Sequence, residues 1–401
     1  MAATPSAAHQ QAESRYLCVV TETYPPEING VALTLAHLVK GLRTRGHVVR
    51  VVRPRQPMAD CFHSNYDSEV TLVRGLPVPR YKGLQFGLPA GGLLLRCWTQ
   101  RRPDAVYVAT EGPLGWSAVR AAQRLGLPVL SGFHTNYHNY AKYYLAGRLQ
   151  SMVFRYLRNF HNRTLGTLVA SQELRDRLRL LGFNNVSILG RGVDSQLFNP
   201  ERRSAELRHQ WGLSDNDLAV ICVGRVAAEK NLKLAIETYQ AMKKINDRVK
   251  LVIVGDGPLL AALRRAHGDL IFRGVHSGDQ LARHYASADV FLFPSETETF
   301  GNVTLEAMAS GLAVIAYDYA AARIHITQGE TGVLAPYGDA KAFVASAAML
   351  MREPLLLDRI RRQARDYISS ANWTRVVERF EALLTGARQE TDTAIDPVLA
   401  A

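Results

Sequence analysis

Glu298 and Glu306 stand with seven residues between them in the run ETFGNVTLE, directly after the apolar, strand-like stretch VFLFPS. Such an order puts the first carboxylate on a strand-to-helix loop and the second one to two turns into the helix that follows. Gly301 lets the backbone N–H groups of that turn approach a phosphate at the helix N-terminus, where the helix dipole favours an anion. Glu306 is then placed to accept hydrogen bonds from ribose hydroxyls, and Glu298 to face a sugar. The same spacing also fits an N-terminal acid that suits the helix dipole together with a surface glutamate, so it needs context. Upstream, the apolar run AVICVGR ends in Gly224-Arg225, and Lys230 follows five residues later, where the next helix should begin. Two fixed cations at the mouth of a strand offset the charge that builds on a diphosphate leaving group as its bond breaks. Solvated surface cations are the plainer alternative. LVIVGDGPLL places Gly255-Asp256-Gly257 at another strand end, a tight turn that brings backbone near a ligand or simply reverses the chain.

These motifs need a scaffold of strand ends. Strand-like and helix-like patterns alternate along the chain, as in βαβ units built on parallel sheets. Strands are expected at 16–21, 48–52, 105–109, 129–133, 167–170 and 186–189, with an amphipathic helix over 31–45. After a bridging stretch near residues 192–204 the pattern restarts. Strands are then expected at 218–223, 249–254, 270–272, 290–293 and 313–316, alternating with helices at 232–244, 259–266, 280–286, 303–310 and 340–351. The expected organisation is a disordered lead-in at 1–15, an N-terminal unit at 16–200, a C-terminal unit at 201–385 and a disordered tail at 386–401. The last helix is free to pack back on the first unit. In open α/β sheets ligands bind beyond the carboxyl ends of the strands, and every motif above lies there.

Length supports two cores, because a single one stops growing at roughly 250–300 residues and this chain has 401. No run reaches the roughly 18 apolar residues that a membrane span needs. Cys18, Cys61, Cys97 and Cys222 are scattered without a CxxC pair, so neither a disulfide framework nor a zinc site is expected. The first residues lack the apolar core of a secretory signal, and the expected location is cytoplasmic. The net charge of +12 is lopsided: residues 1–200 hold 24 Lys and Arg against 11 Asp and Glu. A basic half suggests an anionic partner, either nucleic acid or a membrane surface. An arginine-rich proteome is the bland explanation.

GRVAAEKN, VIVGDGP, FRGVHSGDQLARHYASADVFLFPSETETFGNVTLEAMASGLAVIA and GETGVL, in this order, resemble the donor domain of the family-four retaining glycosyltransferases of GT-B fold. TYPPEINGVALTL and GFHTNYHNY are similar to the family's N-terminal loop and histidine motif, so the resemblance runs from about Tyr16 to Phe380. It implies two Rossmann-like, doubly wound α/β domains that face a central cleft, and hexosyl transfer from a sugar nucleotide. Carried over by residue, it implies that Arg225 and Lys230 hold the diphosphate, Glu306 the ribose and Glu298 the transferred sugar. Backbone N–H groups of Phe300, Gly301, Asn302 and Val303 would touch phosphate or sugar, and the backbone near Val275 the base. Gly30 would admit the N-terminal loop to the phosphates, and His134 would hydrogen-bond a sugar hydroxyl beside the reaction centre.

A Rossmann dehydrogenase is disfavoured, because TETYPPEING rather than G-x-G-x-x-G follows the first strand. No P-loop is present, and no D-x-D flanked by a strand implies an obligatory divalent metal. No cofactor is expected beyond the sugar nucleotide itself. A double displacement needs a carboxylate beneath the anomeric carbon, and the family pattern offers none that fits. Retention by front-face attack, with the departing phosphate deprotonating the acceptor, is the implied route. The resemblance implies an acceptor site in the N-terminal domain, which here is the basic half. Tyr81–Trp98 mixes apolar residues with Lys82 and Arg96. Residues 142–163 place Leu149, Met152, Val153, Tyr156, Leu157 and Phe160 on one helical face, beside Arg148, Arg155 and Arg158. That resembles an interfacial helix on anionic lipid, although a core-packing helix with solvated arginines has the same pattern. The expectation is a lipid acceptor such as diacylglycerol at the inner face of the cytoplasmic membrane. UDP-glucose or UDP-glucuronate is placed ahead of GDP-mannose as donor, and a soluble or polymeric acceptor is an alternative. Nucleic-acid binding on an inactive scaffold is the remote alternative, disfavoured because Glu298, Glu306, Arg225, Lys230 and His134 occur together.

Overall fold

The computed structural model describes residues 13–27, 29–56, 69–77, 85–134, 148–214, 216–298, 300–369 and 371–386, with the backbone alone at 148–150. Its N-terminal strands are β1 (Tyr16–Val20), β2 (Val48–Pro54), β3 (Val70–Val73), β4 (Gly75–Pro77), β5 (Gln85–Gly87), β6 (Ala105–Val108), β7 (Val129–Gly132), β8 (Gly166–Val169) and β9 (Val186–Ile188). Seven of them form one parallel sheet in the order β3-β2-β1-β6-β7-β8-β9, and β4 pairs with β5 as a small antiparallel ribbon. The accompanying helices are α1 (Gly30–Thr44), α2 (Gly91–Gln100), α3 (Pro113–Arg124), α4 (Arg148–His161) and α5 (Gln172–Leu180).

The second sheet holds β10 (Ala219–Val223), β11 (Lys250–Val254), β12 (Ile271–Gly274), β13 (Val290–Phe293), β14 (Ala313–Tyr317) and β15 (Val333–Ala335) in the order β12-β11-β10-β13-β14-β15, all parallel. Around it lie α6 (Ala205–Gln210), α7 (Leu232–Lys243), α8 (Leu260–Ala266), α9 (Gly278–Ala286), α10 (Asn302–Ala309), α11 (Ala320–His325), α12 (Ala340–Arg352) and α13 (Pro354–Ile368). Helices cover both faces of each sheet, so β1, β6, β13 and β14 are buried along their whole length. That is why they read as unbroken apolar runs rather than alternating ones.

Local chemistry fixes the helix starts. Asn29 accepts hydrogen bonds from the N–H groups of Val31 and Ala32 at 3.1 and 2.9 Å to open α1, and Ser171 accepts from Leu174 to open α5. Asn372 opens the last helix, α14 (Trp373–Thr385), by accepting from Arg375. Val376, Val377, Phe380 and Leu384 of α14 join the core of Leu17, Leu35, Leu38 and Val51, so the chain ends against the first sheet. His47 and Arg45 bind Glu381 at the same junction. The helix expected over 142–163 is observed from 148 to 161. The short edge elements β3, β4, β5 and β15 have no strong pattern of their own and were not expected. Among the described residues no helix is long and apolar enough to cross a membrane.

Candidate active site

In each sheet the strand order reverses direction next to the first strand: between β1 and β6 in one, and between β10 and β13 in the other. Ligand crevices open at such points, beyond the strands' carboxyl ends. Arg225 follows β10 and Glu298 follows β13, so the second crevice receives residues from two distant chain segments. The ends of β10, β11 and β12 are tied together, Gly224 N–H donating to the Val254 carbonyl at 3.0 Å and Gly255 N–H to the Gly274 carbonyl at 2.7 Å. Arg225, Asp256 and Val275 therefore emerge side by side. A Cβ on Gly255 would lie 1.9 Å from the Gly224 carbonyl oxygen, so the GDG turn serves close backbone packing behind Arg225.

Lys230 and Glu298 form an ion pair across the crevice, and Ser295 Oγ donates to the same Glu298 oxygen at 2.9 Å. The Lys230 ammonium also sits 5.6 Å from the centre of the Phe293 ring. Tyr319 Oη donates to the Glu298 carbonyl at 3.0 Å, which pins the loop from behind. Arg225 is half exposed and pairs with Glu229 at 3.4 Å. Val275 is exposed beside β12. Phe300 is buried in the core, and its carbonyl accepts from Ala321 N–H at 2.8 Å.

Gly301 precedes α10 with φ +97°, a conformation that other residues adopt only under strain, and among the described residues no side chain caps α10. The N–H groups of its first turn thus face the crevice as a positive dipole end. Across the cleft a Cβ on Gly30 would lie 4.0 Å from Asn302 Nδ2, so the starts of α1 and α10 meet. Two helix N-termini and one lysine converge on one place, which suits a phosphate group. Thr23, Glu27 and Gln56 hold the intervening loop: Thr23 Oγ1 donates to Glu27 Oε2 at 2.5 Å and Gln56 Nε2 to Glu27 Oε1 at 2.8 Å.

Glu306 is half-buried one turn into α10, and the Tyr285 hydroxyl faces it. Burial pushes its carboxyl up to about 7, with the hydroxyl pulling the other way. A carboxylate so short of donors is suited to accept ligand hydroxyls. His134 ends β7 and has both ring nitrogens engaged: Arg191 Nη2 donates to Nδ1 at 3.0 Å, and Nε2 lies 3.1 Å from Tyr107 Oη. Because an arginine only donates, Nδ1 is the acceptor and Nε2 carries the proton. Burial first, then the Arg191 charge, keeps the imidazole neutral, its pKa well below the ordinary value. A sugar hydroxyl that binds His134 must replace Tyr107.

Of the expected membrane residues, Arg155 and Arg158 have described side chains. Lys82 and the segment after His134 lie outside the described residues, as does the Arg148 side chain. Arg155 and Arg158 are exposed on α4. On its apolar face Leu157 and Phe160 are buried, whereas Met152 is 54% and Tyr156 43% exposed. The inner turns of α4 therefore pack as core. Sequence reasoning did not find Tyr107, Arg191, Ser295, Tyr285 or Tyr319. Arg191 alone carried a signal, since GRGVD follows a strand end as GRVAAEK does.

Comparison with known proteins identifies the family. Residues 28–197 match the family model described as Glycosyltransferase Family 4, and residues 217–353 the one described as Glycosyl transferases group 1. A GDP-mannose-dependent alpha-mannosyltransferase of Mycobacterium tuberculosis is 34% identical over 80% of this chain and 84% of its own. An alpha-monoglucosyldiacylglycerol synthase of Streptococcus pneumoniae is 30% identical over 74% of this chain and 70% of its own. The structure of Anabaena Alr3699/HepE in complex with UDP and glucose superposes with a TM-score of 0.73 at 18% identity, covering 93% of this chain and all of that one, a likeness of fold. Two doubly wound sheets, family models matched over both halves and a relative that matches over four-fifths of the chain place this protein among the family-four glycosyltransferases of GT-B fold.

Proposed function

We propose that this enzyme moves a hexosyl group, with retention of configuration, from a nucleoside diphosphate sugar to the hydroxyl of a lipid at a membrane surface. The observation that carries the donor half is the meeting of Lys230, Glu298 and the N-termini of α1 and α10 at one crevice. In this reading the diphosphate takes Lys230 from Glu298 and lies on Arg225 and the N–H groups of Asn302 and Val303. Their fixed charge and dipoles stabilise the leaving group as the glycosidic bond breaks. Glu298, released, accepts from hydroxyls of the sugar, and Glu306 accepts from the ribose. The charge offset is assigned to these groups, with no cofactor given a role.

GDP-mannose moves ahead of UDP-glucose and UDP-glucuronate as donor, because the mannosyltransferase relative is both more identical and more extensively matched. The alpha-monoglucosyldiacylglycerol synthase relative and the basic N-terminal half support a lipid acceptor, and with it peripheral attachment to an anionic membrane. UDP-glucose is the second reading, on the strength of the same synthase.

A thermal-shift panel of GDP, GDP-mannose, UDP, UDP-glucose and UDP-glucuronate tests the donor. A ligand at about 100 times its Kd adds about 2.7 kcal/mol of apparent stability. A shift with guanine nucleotides alone supports the first reading, and one with uracil nucleotides alone the second. The absence of any shift refutes both.

A further inference from the structure

The crevice between β1 and β6 is the counterpart, in the N-terminal sheet, of the one that holds the donor residues. Glu22 follows β1 there, and Thr110, Glu111 and Gly112 follow β6. Glu22 N–H donates to Thr110 Oγ1 at 3.0 Å, and its Oε1 accepts from Leu114 N–H at 3.1 Å in the first turn of α3. A Cβ at position 112 would lie 2.1 Å from Glu22 Oε2, so only glycine admits the carboxylate to this place. The positive end of α3, where an anionic ligand would otherwise be welcome, is thus filled by the protein's own carboxyl. Glu111 adds a second carboxylate, 3.3 Å from His161 Nε2. Burial, then the neighbouring Glu111 against the pull of the Leu114 N–H, leaves Glu22 at about 7.

A groove of about 490 Å³ lies between α2, α3 and α4; Pro113 and Tyr156 mark its inner end, where the Tyr156 hydroxyl donates to the Glu111 carbonyl at 2.6 Å. Leu95, Pro113, Trp116 and Tyr156 give it apolar walls, and Arg120 and Arg124 stand towards its far end. Along α3 the distance from Pro113 to Arg124 is about 16 Å. The Trp116 and Tyr156 rings pack at 5.6 Å, and the Arg120 and Arg163 guanidinium groups approach the Trp116 ring at 5.5 and 5.8 Å. Aromatic rings flanked by cations suit the boundary between hydrocarbon and anionic headgroups.

We propose that this groove seats the acceptor as a neutral, hydroxyl-bearing glycerolipid. Its hydroxyl lies at Glu22 in the cleft, its hydrocarbon body along Leu95, Trp116 and Tyr156, and Arg120 and Arg124 face the surrounding anionic leaflet. Charge complementarity carries the assignment. Glu111 and the ionised fraction of Glu22, beyond the inner end, disfavour a phosphate headgroup there, while the cations sit at the end that meets the membrane. The inference rests on the lipid-acceptor reading above and narrows it to acceptors whose reacting end bears no charge.

The test uses the full-length enzyme with its donor and two acceptors, dioctanoylglycerol and dioctanoyl-phosphatidylinositol, beside a water-soluble mannoside. The variants are Leu95→Trp, which fills the groove, and Glu22→Gln, which keeps an acceptor for the Leu114 N–H. Transfer to dioctanoylglycerol is expected to exceed transfer to the phosphoinositide at least tenfold. Leu95→Trp is expected to raise the KM for dioctanoylglycerol tenfold or more, and Glu22→Gln to lower kcat/KM for it by a similar factor. The thermal shift from donor nucleotide should be that of the wild type in both variants, which shows that they fold. Equal or better use of the phosphoinositide overturns the inference, as does an unchanged KM in Leu95→Trp. Transfer to the water-soluble mannoside but to neither lipid instead defeats the lipid reading on which the inference stands.

Discussion

The half-buried carboxyl of Glu306 makes nucleotide binding depend on pH in a way that can be worked out beforehand. In the free enzyme it titrates at about 7, raised by burial. Ribose hydroxyls that donate to it favour the ionised form, so the bound value should return towards the ordinary glutamate value of about 4.3. The ionised enzyme is then the form that binds. At pH 8 about nine-tenths of the enzyme is ionised and at pH 6 about one-tenth, so affinity should fall about tenfold from pH 8 to pH 6. It should be nearly flat above pH 8. At pH 7 about half a proton should be released for each ligand bound. A sugar nucleotide is the right titrant, because the terminal phosphate of a nucleoside diphosphate ionises in the same range. Calorimetry in two buffers of different ionisation enthalpy counts the proton, and Glu306→Gln should abolish both the release and the slope. The same shift has a converse in stability. A carboxyl raised from about 4.3 to about 7 favours the fold while protonated, and that advantage is lost as pH rises to the folded value. Glu306→Gln should accordingly stabilise the ligand-free protein at pH 8 by up to about 4 kcal/mol while it weakens nucleotide binding. Equal affinity at pH 6 and pH 8, without proton uptake or release, refutes the ribose assignment.

Lys230→Ala should lower kcat at least 10²-fold, about 2.7 kcal/mol of transition-state stabilisation, and steady-state kinetics on folded protein check it. Glu298→Gln should reduce turnover more than it raises the donor KM, the pattern of a contact that strengthens in the transition state; a change in KM alone contradicts that role. Gly301→Ala forces a Cβ into φ +97° and should cost about 1–3 kcal/mol in thermal unfolding, with nucleotide affinity reduced beside it. Replacing Arg148, Arg155 and Arg158 with glutamine removes about 1 kcal/mol per cation of attraction to an anionic surface. Cosedimentation with anionic vesicles should then drop, and wild-type binding should weaken with salt, which screens over about 8–10 Å.

What could be read from the sequence was local. The strand ends that carry Arg225 and Glu298, and the lysine at the start of a helix, are each defined within ten residues. Their types and spacing indicated a diphosphate before any partner was visible. The contacts that set their chemistry come from elsewhere in the chain. Tyr285 reaches Glu306 from α9, Tyr319 reaches the Glu298 carbonyl from the start of α11, and Arg191 reaches His134 across 57 positions. These depend on the order of parallel strands, which periodicity does not encode. The α4 helix shows the limit differently. Its apolar stripe has one spacing whether it faces lipid or protein, and only packing distinguishes Leu157 and Phe160, which are buried, from Met152 and Tyr156, which are not. The return of α14 to the first sheet was legible only as a possibility, because Val376 and Phe380 meet Leu35 and Leu38 from the opposite end of the sequence.

A crystal structure of the enzyme with the nucleoside diphosphate of its donor tests the central claim most directly. The expected result is a diphosphate within hydrogen-bonding distance of Arg225, Lys230 and the N–H groups of Asn302 and Val303, with the Lys230–Glu298 pair opened and the ribose on Glu306. A nucleotide bound elsewhere, or one that leaves Lys230 on Glu298, contradicts it.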